Sequence, residues 1–410
     1  MDLRDRECAE LIAENPYIQY FLGFSEYQDN PPVSASTFVY FRKRIKADGI
    51  ARINEILCGV KQQDHDDDDP PTPSAGSSEQ AADQTNSQKG NEGTLILDAT
   101  CAPQDISYPT DLTLLNDARR ILEGLIDQAF RPLRGSMNKP RTDRKEARAA
   151  YLAIAKKRKV KHNKMRAAVG KQLRYVRKDL EILDQLLAIP GHGSLREQEQ
   201  EKLYTIKKLY EQQQTMFDQK IHRVEDRIVS ISQPYVRPII RGKAGSNVEF
   251  GAKISISVKD GLCFVDKIGW DNFSEGSLLQ EQCHNYYRRF GCYPSRVLAD
   301  KAYLSQENRR WCKKHGIALP GPLLGRPPKQ ADPEEKRKQL VAAKERNEVE
   351  GRFGISKRRY GLDLIMCKLQ QTSETEIMMQ FIIMNADQII RQQNKAKSAV
   401  SRKQEQVSFK

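Results

Sequence analysis

The sequence predicts an α/β domain, a mixed sheet flanked by helices, with a long helical hairpin inserted in it and a helical module before it. Three observations predict this. Short apolar runs, TLILDAT at 94–100 and SRVLADKAY at 295–303, read as buried strands separated by helical patterns. NVEFGAKISISVKDGLCFVDKIG, 247–269, reads as a strand, a KDG turn and a second strand, with Ile254, Ile256 and Val258 alternating. Residues 143–228 carry apolar side chains at spacings of three and four, the period of a helix.

The elements follow in order. Residues 1–60 read as a helical DNA-binding or dimerisation module. ECAELIAEN is a short amphipathic segment. The second segment, SASTFVYFRKRIKADGIARINEIL, has Ser36 or Thr37 as candidate N-cap and Phe38, Phe41 and Ile45 on one face. Residues 61–93 read as an acidic and polar disordered linker, because 65–93 contain no Leu, Ile, Val or aromatic residue to offset the entropy of ordering. The first part of the main domain, 94–142, contains the helical pattern DLTLLNDARRILEGLIDQAF at 111–130.

The hairpin follows. Its first arm carries Met165, Val169, Leu173, Val176, Leu180, Leu183 and Leu187. Its second carries Leu203, Ile206, Tyr210, Phe217, Ile221, Val224 and Ile228, with PGHG at 190–193 as the break. At 1.5 Å per residue, an arm of about 40 residues would span about 60 Å. The main domain resumes over 229–395, with helices expected at 275–290 and 373–392 and a short strand at IALP, 317–320. A helix capped by Asp332, with Pro333 and Glu335 in its first turn, leads into the segment 344–361. Residues 396–410 read as a flexible tail.

The chain has 410 residues and a formal charge of +14. The excess is concentrated: residues 139–178 hold 16 Lys and Arg against two acids. Such a field favours an anionic partner, nucleic acid before an anionic membrane. The densest run puts Lys156, Lys157, Arg158, Lys159, Lys161, Lys164 and Arg166 within a single stretch expected to be helical, where opposite charges to pair with them are scarce. No stretch approaches the roughly 20 apolar residues of a membrane span, and the N-terminus has no apolar signal region. Eight scattered cysteines form no CxxC pair, and Cys312 with His315 has no second pair to complete a zinc site. The reading is a cytosolic protein with reduced thiols.

Two acids end short apolar runs: Asp98 after LIL and Asp300 after VLA. Carboxylates at strand ends gather at one edge of a sheet. One alone reads equally well as a turn former or helix cap. With Glu350 on the charged helix KERNEVEGRFGISKRRYG, they would supply oxygen ligands for two hard divalent ions, the requirement of two-metal phosphoryl transfer. On that helix Arg346, Glu350 and Lys357 share one side, where Arg346 could orient a carboxylate or hold a phosphate. Lys357, Arg358 and Arg359 could grip a nucleic-acid backbone. The competing reading is a surface helix with internal ion pairs.

These segments resemble the bacterial insertion-sequence transposases of the Asp-Asp-Glu superfamily. The resemblance rests on TLILDATCAPQDISYPTDLTLLNDAR, PYVRPIIRGKAGSNVEFGAKISI, RVLADKAY and RNEVEGRFGISKRRYGL. The last is the most specific. Arg346, Glu350 and Lys357 match the spacing of a Tyr-Arg-Glu-Lys signature, whereas Ala343 stands at the tyrosine position. The resemblance implies a ribonuclease-H-like fold, with Asp98, Asp300 and Glu350 as ligands of Mg2+ or Mn2+. It also implies double-stranded DNA as substrate, both transposon ends and target, and work as a homodimer or larger synaptic assembly. The implied reaction is cleavage at transposon ends followed by strand transfer, in a bacterial cytoplasmic, DNA-associated enzyme. A metal-dependent nuclease without strand transfer, an RNA-processing enzyme and a non-enzymatic DNA-binding protein are the alternatives.

Overall fold

A computed structural model describes residues 3–60, 90–240, 248–322 and 333–408. The chain divides into two compact units. The first is 1–103, 253–269 and 273–410. The second is 104–252 and 270–272.

The first unit contains the sheet that carries the acids. Strand β1 (Thr94–Pro103) pairs in parallel with β5 (Arg296–Leu298), in the register Thr94–Arg296, Leu95–Val297 and Ile96–Leu298. On its other side β1 neighbours β3 (Val248–Lys259), which pairs antiparallel with β4 (Leu262–Gly269). The β3–β4 turn is Asp260-Gly261, with φ of 51° and 81°. Two consecutive positive φ values define the type I′ turn whose twist matches that of the strands, so KDG is a hairpin as expected. IALP forms only an isolated parallel bridge, Ala318 to Arg296.

Helix α8 (Leu279–Phe290) covers one face of the sheet. The core there joins Leu95, Leu97 and Val297 to Leu279, Cys283, Tyr286, Tyr303, Cys312 and Ile317, the last two from or just after α9 (Gln306–Lys314). Helix α10 (Pro333–Arg359) packs against β1 and β5, burying Val349, Phe353 and Ser356. The last helix, α11 (Gln370–Ser408), buries Ile377, Met378, Phe381 and Met384. It continues through most of the segment expected to be a flexible tail.

The N-terminal helices are α1 (Asp5–Glu14), α2 (Pro16–Phe21) and α3 (Ala35–Leu57). They belong to the first unit, and α3 packs on α11 and β4. Asn385 fixes this contact. Its side chain donates to Asn54 Oδ1 (2.8 Å) and to the Cys263 carbonyl (2.7 Å), and it accepts from the Cys263 N–H (2.9 Å). All the polar groups of this buried knot are paired, which is what a polar cluster in a core requires. The N-cap of α3 is Ser34, two residues before the earlier of the expected positions, and Phe41 is exposed. The helix is kinked at Lys46, whose φ is 55°.

The second unit is a helical bundle: α4 (Asp111–Phe130), α5 (Arg144–Ala155), α6 (His162–Leu187) and α7 (Glu197–Gln219). Its core brings Leu115, Leu122 and Ile126 of α4 against Leu173, Val176 and Leu183 of α6 and Leu203, Ile206 and Leu209 of α7. This corrects the expected hairpin in three ways. The first arm is broken at 156–161, so it is two helices rather than one of about 40 residues. The second arm ends at Gln219, leaving Ile221 exposed, while Ile228 reaches the core from coil. Finally α4, expected with the main domain, supplies a third face of this core because its own apolar stripe is as complete as theirs. Strand β2 (Arg237–Ile240), which the sequence does not announce, pairs antiparallel with residues 248–251.

Most of the expected linker and the proposed cap Asp332 lie outside the described residues.

Candidate functional site: an acidic edge of the sheet

Asp98 does not end its strand, as the sequence suggests, but lies midway along β1. It stands two residues beyond Ile96, the last β1 residue paired with β5. Asp300 stands two residues beyond Leu298, the end of β5. Because the two strands are parallel and in register, Asp98 and Asp300 stand at matching positions two residues past the last paired ones, on the side where β5 ends while β1 runs on to Pro103. Asp98 Oδ1 accepts from the Ala99 N–H (2.8 Å). Asp300 is exposed and caps a short 3-10 turn, Lys301–Tyr303, accepting from the Lys301 N–H (2.7 Å). The cap reading of Asp300 thus holds in this geometry.

The third element is α10. Its buried residues Val349, Phe353 and Ser356 recur at spacings of three and four and hold one face on the sheet. Arg346 and Glu350 are one turn apart. The Arg346 guanidinium reaches both acids: Nη2 donates to Glu350 Oε1 at 2.8 Å, and Nη1 stands 3.8 Å from Asp98 Oδ2. The neighbouring acids are also paired, Glu345 with Arg296 (2.7 Å) and Glu348 with Arg352 (3.5 Å). The internal ion pairs anticipated as the plain reading of this helix therefore exist, Arg346 with Glu350 and Glu348 with Arg352, and Arg346 also faces Asp98 of β1.

Burial, reinforced by the negative charges of Glu275 and Asp300, pushes Asp98 up to about 6. The Ala99 N–H and Arg346 oppose this without cancelling it. Glu275 is the acid that sequence reasoning missed. It lies just before α8 and pairs with Lys253 of β3 at 2.9 Å. A loop glutamate has no periodicity to betray it, and only the folded sheet brings Lys253 and the Asp98 edge to it. Beside the acids is a cleft of about 180 Å3, lined in part by Asp300, Lys301, Gln339, Ala342, Ala343 and Arg346.

The donor set is carboxylate oxygen, which suits Mg2+ or Mn2+ rather than a soft metal. Burial is the first cause of the Asp98 shift, and Glu275, one of its two negative neighbours, is itself paired with Lys253. Among the described residues, however, no three His, Cys, Asp or Glu side chains converge tightly enough to hold a metal ion. Arg346 instead bridges Asp98 and Glu350.

Of the other expected residues, Lys357 is half-buried and Arg358 and Arg359 are exposed in the last turn of α10. In the bundle, Lys156, Lys157, Arg158, Lys159 and Lys161 occupy the coil between α5 and α6, and Lys164 opens α6. All six are exposed. Arg166 is not available in the same way. It donates to the Phe217 carbonyl (2.7 Å) and stacks over the Phe217 ring, 4.1 Å from its centroid, tying α6 to the end of α7. Cys312 is buried, and His315 stacks on Trp311 with centroids 4.0 Å apart, a packing role rather than a zinc site.

With this geometry in hand, two family models match the chain. Residues 297–387 match one described as "Transposase DDE domain". Residues 2–44 match one described as "Transposase domain (DUF772)". The first match contains Asp300, Arg346, Glu350 and Lys357, while Asp98 lies outside both. A curated relative, "Uncharacterized protein ORF8 in nfe locus" of Rhizobium meliloti, is 31% identical over 122 residues, 30% of this chain. The chain spans about half, 49%, of that relative's length. No solved structure matches. Over 297–387 and 2–44 the chain is similar to the transposase domains these two models describe. Among the described residues, no helix is long and apolar enough to cross a membrane.

Proposed function

We propose that the chain is a DNA transposase with a ribonuclease-H-like catalytic core, cutting at transposon ends and joining them to target DNA. The observation that carries the reading is the pair of acids on neighbouring strands. Parallel, in-register β1 and β5 carry Asp98 and Asp300 at matching positions, and α10 joins Glu350 to Asp98 through Arg346. Asp98, Asp300 and Glu350 would hold Mg2+ or Mn2+. Bound there, divalent ions would activate the attacking oxygen and stabilise the leaving one.

The chain's own residues do the rest. The three carboxylates would hold the divalent ions beside the reacting phosphodiester. Arg346, at the cleft, meets charge that develops on phosphate oxygen. Lys357, Arg358 and Arg359 hold the DNA backbone along the end of α10, and the exposed cations at 156–164 of the other unit make phosphate contacts of their own. In the first step water attacks the phosphodiester and a 3′-hydroxyl leaves. In the second that hydroxyl attacks a target phosphodiester and a second 3′-oxygen leaves. Two DNA ends must be held together for this, which calls for a homodimer or larger assembly.

The test is incubation of the full chain and Mg2+ with duplexes carrying the flanks of its own gene, resolving nicked from joined DNA. Joined product is expected; nicked product alone would make it a nuclease. Asp98→Asn, which removes charge but keeps shape, should lower cleavage at least about a hundredfold while DNA binding survives, given the several kcal/mol a metal-held transition state supplies. Cleavage by Asp98→Asn at the parental rate would remove Asp98 from the site.

A further inference from the structure

We propose that the N-terminal helices form a self-complementary docking surface through which two copies of this chain pair, with α2 of each seated on α3 of the other. Helix α2 carries Tyr17, Tyr20 and Phe21 on one face, at spacings of three and four. They are 84%, 81% and 87% exposed. Three large rings held out together in water mark a contact surface, unlike the single apolar side chains scattered over any protein. The knob they form is braced from behind. Gln19, buried, donates to the carbonyls of Ile12 and Ala13 at 3.1 Å and of Gln28 at 2.9 Å, and accepts from the Gln28 N–H at 2.8 Å. Asn15 caps the helix, accepting from the N–H groups of Tyr17 and Ile18. The backbone beneath the rings is fixed in advance, which lowers the ordering cost of docking.

Charge names the partner. Residues 1–30 hold seven acids against two bases, a net of −5 in a chain whose other residues carry +19. Glu14 immediately precedes Asn15, and Glu26 and Asp29 flank the Gln28 that braces the knob; all three acids are exposed. A phosphate backbone would be repelled here, which disfavours nucleic acid as the occupant. The complement is a basic protein surface with rings of its own, and α3 supplies one. Residues 31–47 hold four bases and no acid. Tyr40, 69% exposed, shares a helix face with Lys43 and Arg44, three and four residues on and both exposed. Arg42 is spent elsewhere, donating to Asp5 of α1 at 3.0 Å. One chain thus carries an acidic aromatic patch and a basic aromatic patch, so that in a twofold pair the same contact is made twice. Tyr and Phe are the ring types enriched at the centres of protein interfaces. The acidic edge of the sheet plays no part, so the pairing is tested without metal.

Sedimentation equilibrium of the full chain, with no DNA present, should show a dimer. Tyr17→Ser, Tyr20→Ser and Phe21→Ser together should weaken association at least about thirtyfold, the loss typical of interface anchors. These side chains are solvated in the single chain, so its circular dichroism should not change. A charge exchange makes the sharper test. A chain with Glu14→Lys, Glu26→Lys and Asp29→Lys should be monomeric alone, and so should one with Lys43→Glu and Arg44→Glu. Mixed together, the two should form a dimer, because both of its contacts then join opposite charges. A parent chain that stays monomeric, a dimer that the serine variant leaves intact, or a mixture that stays monomeric would each overturn the proposal. So would loss of duplex-DNA binding by the serine variant with its association unchanged, which would assign the knob to nucleic acid.

Discussion

Single residues show where burial and charge conflict. Asp179 of α6 is 3% exposed and shares the bundle interior with Glu123. Burial, then the charge of Glu123, pushes its carboxyl up to about 7, against the pull of Arg119 and Arg144. The folded state then holds a proton that the unfolded chain, with an ordinary carboxyl, releases near pH 4. Stability from this group is full below that value and is lost as pH rises through about 7. The loss is on the order of 2–4 kcal/mol if burial persists. Asp179→Asn should therefore melt higher than the parent at pH 8.5, by a margin that shrinks progressively as pH falls from 7 toward 4. A melting difference that does not change with pH would reject the account. Asp179 was not legible as a buried acid, since in sequence it is one more charge in RKDLEILD. By contrast the strands beside Asp98 and Asp300 were legible from the apolar runs before them, although Asp98 lies within its strand and Asp300 two residues past its own.

Elements were legible where their pattern was long and one-sided. The stripes of α4, α6 and α7, and the alternation in β3 followed by an Asp-Gly turn, each point to one structure. What failed were boundaries and partners. Residues 156–161 carry five cations, and their mutual repulsion without intervening acids disfavours continuing a helix through them. The first turn of α6 that follows has no acid, and Lys161 sits at its N-cap, where the helix dipole is already positive. Such a segment is stabilised by an anion from outside. Changing Lys156, Lys157, Arg158 and Lys159 together to Gln should weaken binding to specific and random DNA by similar factors, since phosphate contacts do not read bases. The slope of log affinity against log salt should fall by roughly two to four units. Fluorescence anisotropy across a salt series measures it, and an unchanged slope would leave the run as a solvated coil.

At the scale of the whole molecule, the chain leaves the first unit after Pro103 and re-enters it at Lys253. The bundle unit closes on itself at that point: the Gln104 N–H donates to the Phe250 carbonyl at 2.8 Å. The helical stripes that predicted a long insertion could not reveal this closure, because backbone pairing of residues so far apart in sequence leaves no local pattern. It bears on the order of folding. Before the bundle forms, aligning β1 beside β3 means closing a loop of the whole insertion, an entropic cost that must be met in advance of any strand contact. Once the helices pack, their two ends are already within one hydrogen bond, and strands remote in sequence become neighbours at little further cost. The bundle, rich in local contacts, should thus acquire protection from hydrogen exchange before β1 and β3 during refolding. Pulse labelling that finds the strands protected first would contradict this order. The long detour between Asp98 and Asp300 is then a kinetic scaffold, and the acidic edge is among the last parts of the protein to come into being.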